Sequence, residues 1–113
     1  MPGRNKLLSA PPYAVEQSLK KLGANLRIAR IRRNMTIADV AERIGTGPRA
    51  VMDAEKGKGS TGIAVYTALL WLYDLLEDFA QASEPTKDSH GMALALAREG
   101  VRARKSAASD NDF

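Results

Sequence analysis

The chain has 113 residues, 44% of them hydrophobic, and 17 Lys and Arg against 13 Asp and Glu give it a net charge of +4. That length and balance predict a compact globular unit with loose ends rather than a disordered chain. The lack of cysteine excludes disulfides, thiolate catalysis and thiolate-bound metal, and a lone histidine, His90, among scattered acids offers no paired acid and base and no metal cluster. The chain is therefore expected to be no enzyme and to need no cofactor.

In chain order, residues 1–13 carry Arg4 and Lys6, lack a sustained apolar core and end in Pro11-Pro12. They read as a flexible basic arm rather than a secretory signal, which with the missing cysteines suggests a cytoplasmic location. From Ala14 to Asn34, Val15, Leu19, Leu22, Leu26 and Ala29 recur at helical spacing, with Gly23 as a weak point. Thr36 with Asp39 three residues on caps a helix predicted over Ile37–Ile44. Gly45 supplies a turn, Gly47-Pro48 opens a third helix reaching Glu55, and Lys56-Gly57-Lys58-Gly59-Ser60 closes it. A strongly apolar fourth helix is predicted over Ile63–Leu72 and expected to be largely buried, and a fifth over Leu75–Ala82. The run from Ile63 to Leu76 is broken by Thr67 and Asp74 and falls short of the ~18 apolar residues that suggest a membrane span. Residues 83–113 read as a tail with a short helix near 91–99 that Gly100 stops, His90 in a solvated loop, and disorder from about Arg102. The expectation is an all-α chain with a five-helix domain at 14–82.

Charge is placed unevenly along these elements. Residues 16–60 hold ten bases against five acids, whereas residues 61–90 hold Lys87 against Asp74, Glu77, Asp78, Glu84 and Asp88. Two short helices joined by a tight glycine turn are the geometry in which one helix braces the DNA backbone while the next enters the major groove. Residues 30–57 fit that spacing. Val40, Ile44 and Val51 are expected to fill the space between the two helices, and Ala41 is small enough to let them cross closely.

The run Thr36-Ile37-Ala38-Asp39-Val40-Ala41-Glu42-Arg43-Ile44-Gly45, followed by Thr46-Gly47-Pro48-Arg49-Ala50-Val51-Met52-Asp53-Ala54-Glu55-Lys56-Gly57, resembles the XRE/Cro family of helix-turn-helix regulators over roughly residues 22–80. The resemblance implies a repressor-like helix-turn-helix fold. It also implies a structural set of Arg30, Ala41, Gly45 and Glu55, in which Glu55 pairs with Arg30. The base-reading positions fall on Pro48, Arg49, Met52 and Asp53; Arg49 has the chemistry to grip guanine, and Asp53 to accept from cytosine. Phosphate contacts are expected from Thr36 and the amides behind it, with Arg33, Arg43, Lys56 and Lys58 as cations. The sequence departs from the family pattern at Ile37, where a glutamine is common, and at Gly47, where serine or threonine is usual. Adenine reading through residue 37 is therefore not expected.

Arg49 through Lys58, with Ser60 through Tyr66 and Ala68 through Trp71, is similar to the HipB subgroup, antitoxins encoded beside HipA-like kinases. That similarity implies an autoregulatory repressor that also holds a kinase toxin inactive. Tyr66, Trp71 and Tyr73 read as core or dimer surface rather than base-stacking platforms. The apolar excess of the fourth helix points to a homodimer through the fourth and fifth helices on a palindromic operator. The acidic middle and Met92–Arg98 are where an effector or partner is expected to act. Two alternatives stay open: a repressor with no toxin partner, and a protein-interaction module that no longer binds DNA.

Overall fold

The computed structural model describes residues 5–110. Its order is α1 (Lys6–Ser9), α2 (Tyr13–Arg32), α3 (Ile37–Ile44), α4 (Pro48–Glu55), α5 (Ile63–Leu72), α6 (Leu76–Gln81), a 3-10 turn at Pro85–Lys87 and α7 (Ser89–Asp110), with no strand among the described residues. The chain divides into two compact units after Glu77. No helix among the described residues is long and apolar enough to cross a membrane.

In the first unit the predicted caps are in place. Thr36 Oγ1 accepts from the Asp39 amide and Asp39 Oδ2 from the Thr36 amide, each at 3.0 Å, satisfying two donors that a helix start leaves open. Gly45 ends α3 with φ 79°, and the Thr46 N–H closes back on the Ala41 carbonyl at 2.9 Å. Pro48 stands at the first position of α4, where its missing N–H removes no helical bond. Two left-handed residues escaped the sequence reading. Asn34 (φ 55°) ends the turn after α2, and Asp74 (φ 59°) ends the turn after α5, where the Leu75 N–H reaches the Leu70 carbonyl.

The core draws on four helices and the residue after the last of them: Leu26 and Ala29 from α2, Val40 and Ala41 from α3, Val51 and Ala54 from α4, Tyr66, Leu69 and Leu70 from α5, and Tyr73. Ile44 packs against it, partly buried. Tyr66 and Tyr73 are thus core, whereas Trp71 stands 61% exposed, and α5 is buried along one side rather than all round.

The tightest approach is between α2 and the end of α4. A Cβ on Gly23 would lie 2.6 Å from the Ala54 carbonyl oxygen, and one on Gly57, itself at φ 71°, would strike the Leu19 carbonyl. Gly23, expected as a weak point, is the crossing point.

Three expectations need correction. The arm at 1–13 is not all irregular: residues 1–4 lie outside the described set, but Lys6–Ser9 is helical because the Asn5 side chain accepts from the Leu7 amide. Leu7, Leu8 and Pro11 line a small apolar cavity with Val15, Leu19, Gly57 and Gly59. The domain boundary falls after Glu77 rather than at 82, and α6 spans it.

The tail, in turn, is mostly helix. Asp88 caps α7 by accepting from the Gly91 amide at 3.0 Å, and the helix passes through Gly100 because the alanines around it outweigh one glycine's penalty of about 1 kcal/mol. His90 belongs to its first turn, and residues 111–113 lie outside the described set.

Candidate nucleic-acid interface

α3 and α4, eight residues each, are joined by the three-residue turn at 45–47 and pack on each other and on α5. Val51 and Ala54 point into the core, so the helical period turns Arg49, Met52, Asp53 and Lys56 to the opposite face.

The orientation of α4 is locked by an ion pair from its last turn to α2. Arg30 Nε and Nη2 donate to the two Glu55 carboxylate oxygens at 2.7 and 3.0 Å, and Nη1 donates to the Met35 carbonyl at 3.0 Å. The two side chains are only 12% and 6% exposed. Both carboxylate oxygens and three guanidinium donors are therefore engaged, and the Glu55 hydrogen bond raises the Arg30 pKa further above its ordinary value. A desolvated fork of this kind fixes a crossing angle more than it adds net stability. The pairing implied for Arg30 and Glu55 is present.

The remaining expected site residues divide into free and committed groups. Pro48, Arg49, Arg43 and Lys56 are exposed, and among the described residues the side chains of the three cations make no hydrogen bond or ion pair. Thr36 is exposed at the start of α3, where hydrogen bonding from its amide, and then from its side chain, lowers the Asp39 pKa. Met52 is half-buried and lines a shallow concavity with Arg27, Arg30, Ile37, Glu55 and Lys56.

Three expected contacts are committed elsewhere. Arg33 donates to the Ala29 carbonyl at 2.9 Å and to the Tyr73 carbonyl at 3.0 Å, and lies over the Tyr73 ring at 5.1 Å. It ties the end of α2 to the end of α5 rather than standing free for phosphate. Asp53 pairs with Lys58 at 3.2 Å, and the Lys58 amide also bonds the Asp53 carbonyl. That closure of the α4 end occupies the carboxylate expected to read cytosine and offsets the charge expected on phosphate.

Arg27 was missed by the sequence reading. It is exposed, lines the same concavity as Met52 and Lys56, and lies one turn before Arg30 on α2. Once Arg30 is assigned to face Glu55, the three-residue spacing alone places Arg27 on that side.

Compared with protein families, with curated proteins and with solved structures, the chain matches none.

Proposed function

We propose that this chain is a sequence-reading DNA-binding regulator of the helix-turn-helix repressor class, in which α3 braces the DNA backbone and α4 enters the major groove. The observation that carries the reading is the outward face of α4: Arg49, Met52 and Lys56, two of them unpaired cations, on a helix whose angle the Arg30–Glu55 fork holds rigid. Arg49 is the base reader, through bidentate donation to guanine. Arg27, Arg43, Lys56 and the Thr36 hydroxyl position the protein on phosphates. Repression follows from occupancy of the promoter.

A homodimer on a palindromic operator, with half-sites about one DNA turn apart, completes the reading. Ile63 and Trp71, 64% and 61% exposed, are the apolar side chains α5 offers to such a pairing. A HipA-like kinase partner rests on the sequence resemblance alone, and co-purification with the product of a neighbouring kinase gene tests it.

The function is tested by titrating the purified protein against DNA from its own promoter region and against random DNA at several salt concentrations. Three phosphate-directed cations per copy, Arg27, Arg43 and Lys56, give a log–log salt slope of about −3 per copy at most, at roughly −0.9 for each phosphate neutralised. Promoter DNA is expected to bind tighter than random DNA throughout the series. Equal affinity for both overturns the reading.

A further inference from the structure

We propose that Ile37 and Met52 form an apolar notch that takes the 5-methyl group of thymine, so that α3 and α4 together read a second base beside the guanine assigned to Arg49. The inference rests on the DNA-binding reading and names what that face selects.

The notch is made where the two helices face each other across their turn. Ile37 opens α3 and Met52 lies midway along α4, and both line one shallow concavity. Each is half-buried, with Ile37 packed on the edge of the core. Part of the wall is the Arg30–Glu55 fork, whose two carboxylate oxygens are already taken by guanidinium donors, so no free anion faces an incoming nucleic acid. Arg27 and Lys56, both exposed, complete the lining. Charge decides the class of occupant. An apolar protein segment seated there would strip water from both cations and leave them unpaired, whereas a base edge seated there brings phosphates within reach of them.

Chemistry then selects the base. Isoleucine has no donor or acceptor, and the methionine thioether is only a weak acceptor. In the major groove guanine, adenine and cytosine present donors or acceptors alone, and only thymine adds a methyl group. A polar base edge pressed onto Ile37 and Met52 would lose its water without gaining a partner. The thymine methyl gains burial at the same place. Met52, unbranched and free to adjust its rotamer, can close over a group that small.

The test removes one methyl group and leaves the rest of the duplex alone. In a DNA sequence that the parent chain selects from a random pool, each thymine is replaced in turn by deoxyuridine, which lacks only the 5-methyl group. At one thymine in each half-site the parent is expected to lose affinity by about fourfold, the worth of one buried methyl group. At that position 5-methylcytosine is expected to bind tighter than cytosine. Met52→Ala should shrink the loss caused by deoxyuridine, and Met52→Ala with Ile37→Ala should abolish it. Because Ile37 also packs on the core, circular dichroism checks that the double variant is folded, and the deoxyuridine series, run on the parent, stands if it is not. A parent that selects a sequence but binds every deoxyuridine duplex as tightly as the thymine one overturns the proposal and leaves the DNA-binding reading in place. A methyl effect undiminished in Met52→Ala also overturns it. A parent that selects no sequence at all removes the DNA-binding reading and this inference with it.

Discussion

Replacing Gly23 by alanine sets two effects of opposite sign against each other at one atom. Alanine in a helix interior is favoured over glycine by roughly 0.5–1 kcal/mol, so a sequence-only argument expects Gly23→Ala to stabilise. The structure gives the new methyl three backbone neighbours, at 2.6 Å (Ala54 oxygen), 2.6 Å (Gly57 nitrogen) and 2.7 Å (Glu55 oxygen). An ordinary carbon–oxygen contact is about 3.3–3.6 Å, so the end of α4 must move by roughly 0.7 Å. The neighbours are backbone rather than flexible side chains, and the same segment carries Glu55 of the ion pair. Overpacking of this kind costs typically 1–3 kcal/mol, and after the helix gain the net loss is expected at about 1–2 kcal/mol. Thermal unfolding should show a midpoint lower by about 4–16 °C, at 4–8 °C per kcal/mol for a domain of this size. Gly100→Ala is the control: it lies in α7 with nothing within 4 Å of the added carbon and should raise helicity. A Gly23→Ala protein as stable as the parent would refute the close crossing of α2 and α4.

Three further outcomes follow from single contacts. Glu55→Gln leaves the Arg30 charge buried with its carboxylate gone and should cost about 3 kcal/mol or more, while Arg30→Met with Glu55→Leu should recover most of that; strictly additive losses in the double-mutant cycle would contradict the pairing. Tyr73 is 1% exposed, its hydroxyl has no hydrogen-bond partner among the described residues, and burial raises its pKa. Tyr73→Phe should therefore hold or raise stability, by up to about 1 kcal/mol in urea unfolding, and a clear loss would show a partner for that hydroxyl. The Asp39 pKa is lowered by its bonds from Thr36, so its stabilising effect is fully present above the ordinary aspartate value and disappears as pH falls through the lowered one. The Asp39→Asn protein should show a shallower acid limb in stability against pH, and an unchanged limb would remove the capping box from the account.

Local features were legible in the sequence wherever the physical cause is local. The Thr36–Asp39 cap, the Gly45 turn, Pro48 at a helix start and the inward Val40, Ala41 and Val51 all depend on neighbours within a few residues, and all are in place. What stayed hidden depends on distant groups. Arg33 looks like any surface base until Tyr73, 40 residues on, supplies its acceptor. Gly23 looks like a helix defect until the end of α4 comes against it. The α1 helix is too short to show a period, and the Asn5 bond to Leu7 that starts it lies just ahead of two prolines. The length of α7 is hidden for another reason: Gly100 has the look of a helix stop, although one glycine among helix-favouring alanines costs too little to end a helix.

The central claim, that α4 reads sequence through Arg49, is tested most directly by selecting binding sites from a random DNA pool and scoring base preference for the parent, Arg49→Ala and the charge-matched Lys87→Ala. The account predicts that the parent enriches a two-fold repeated site. Arg49→Ala should lose about 5- to 150-fold discrimination at one base pair in each half-site, the equivalent of about 1–3 kcal/mol, with Lys87→Ala unchanged. A parent that enriches no sequence, or an Arg49→Ala protein that selects the same site with the same discrimination, would contradict it.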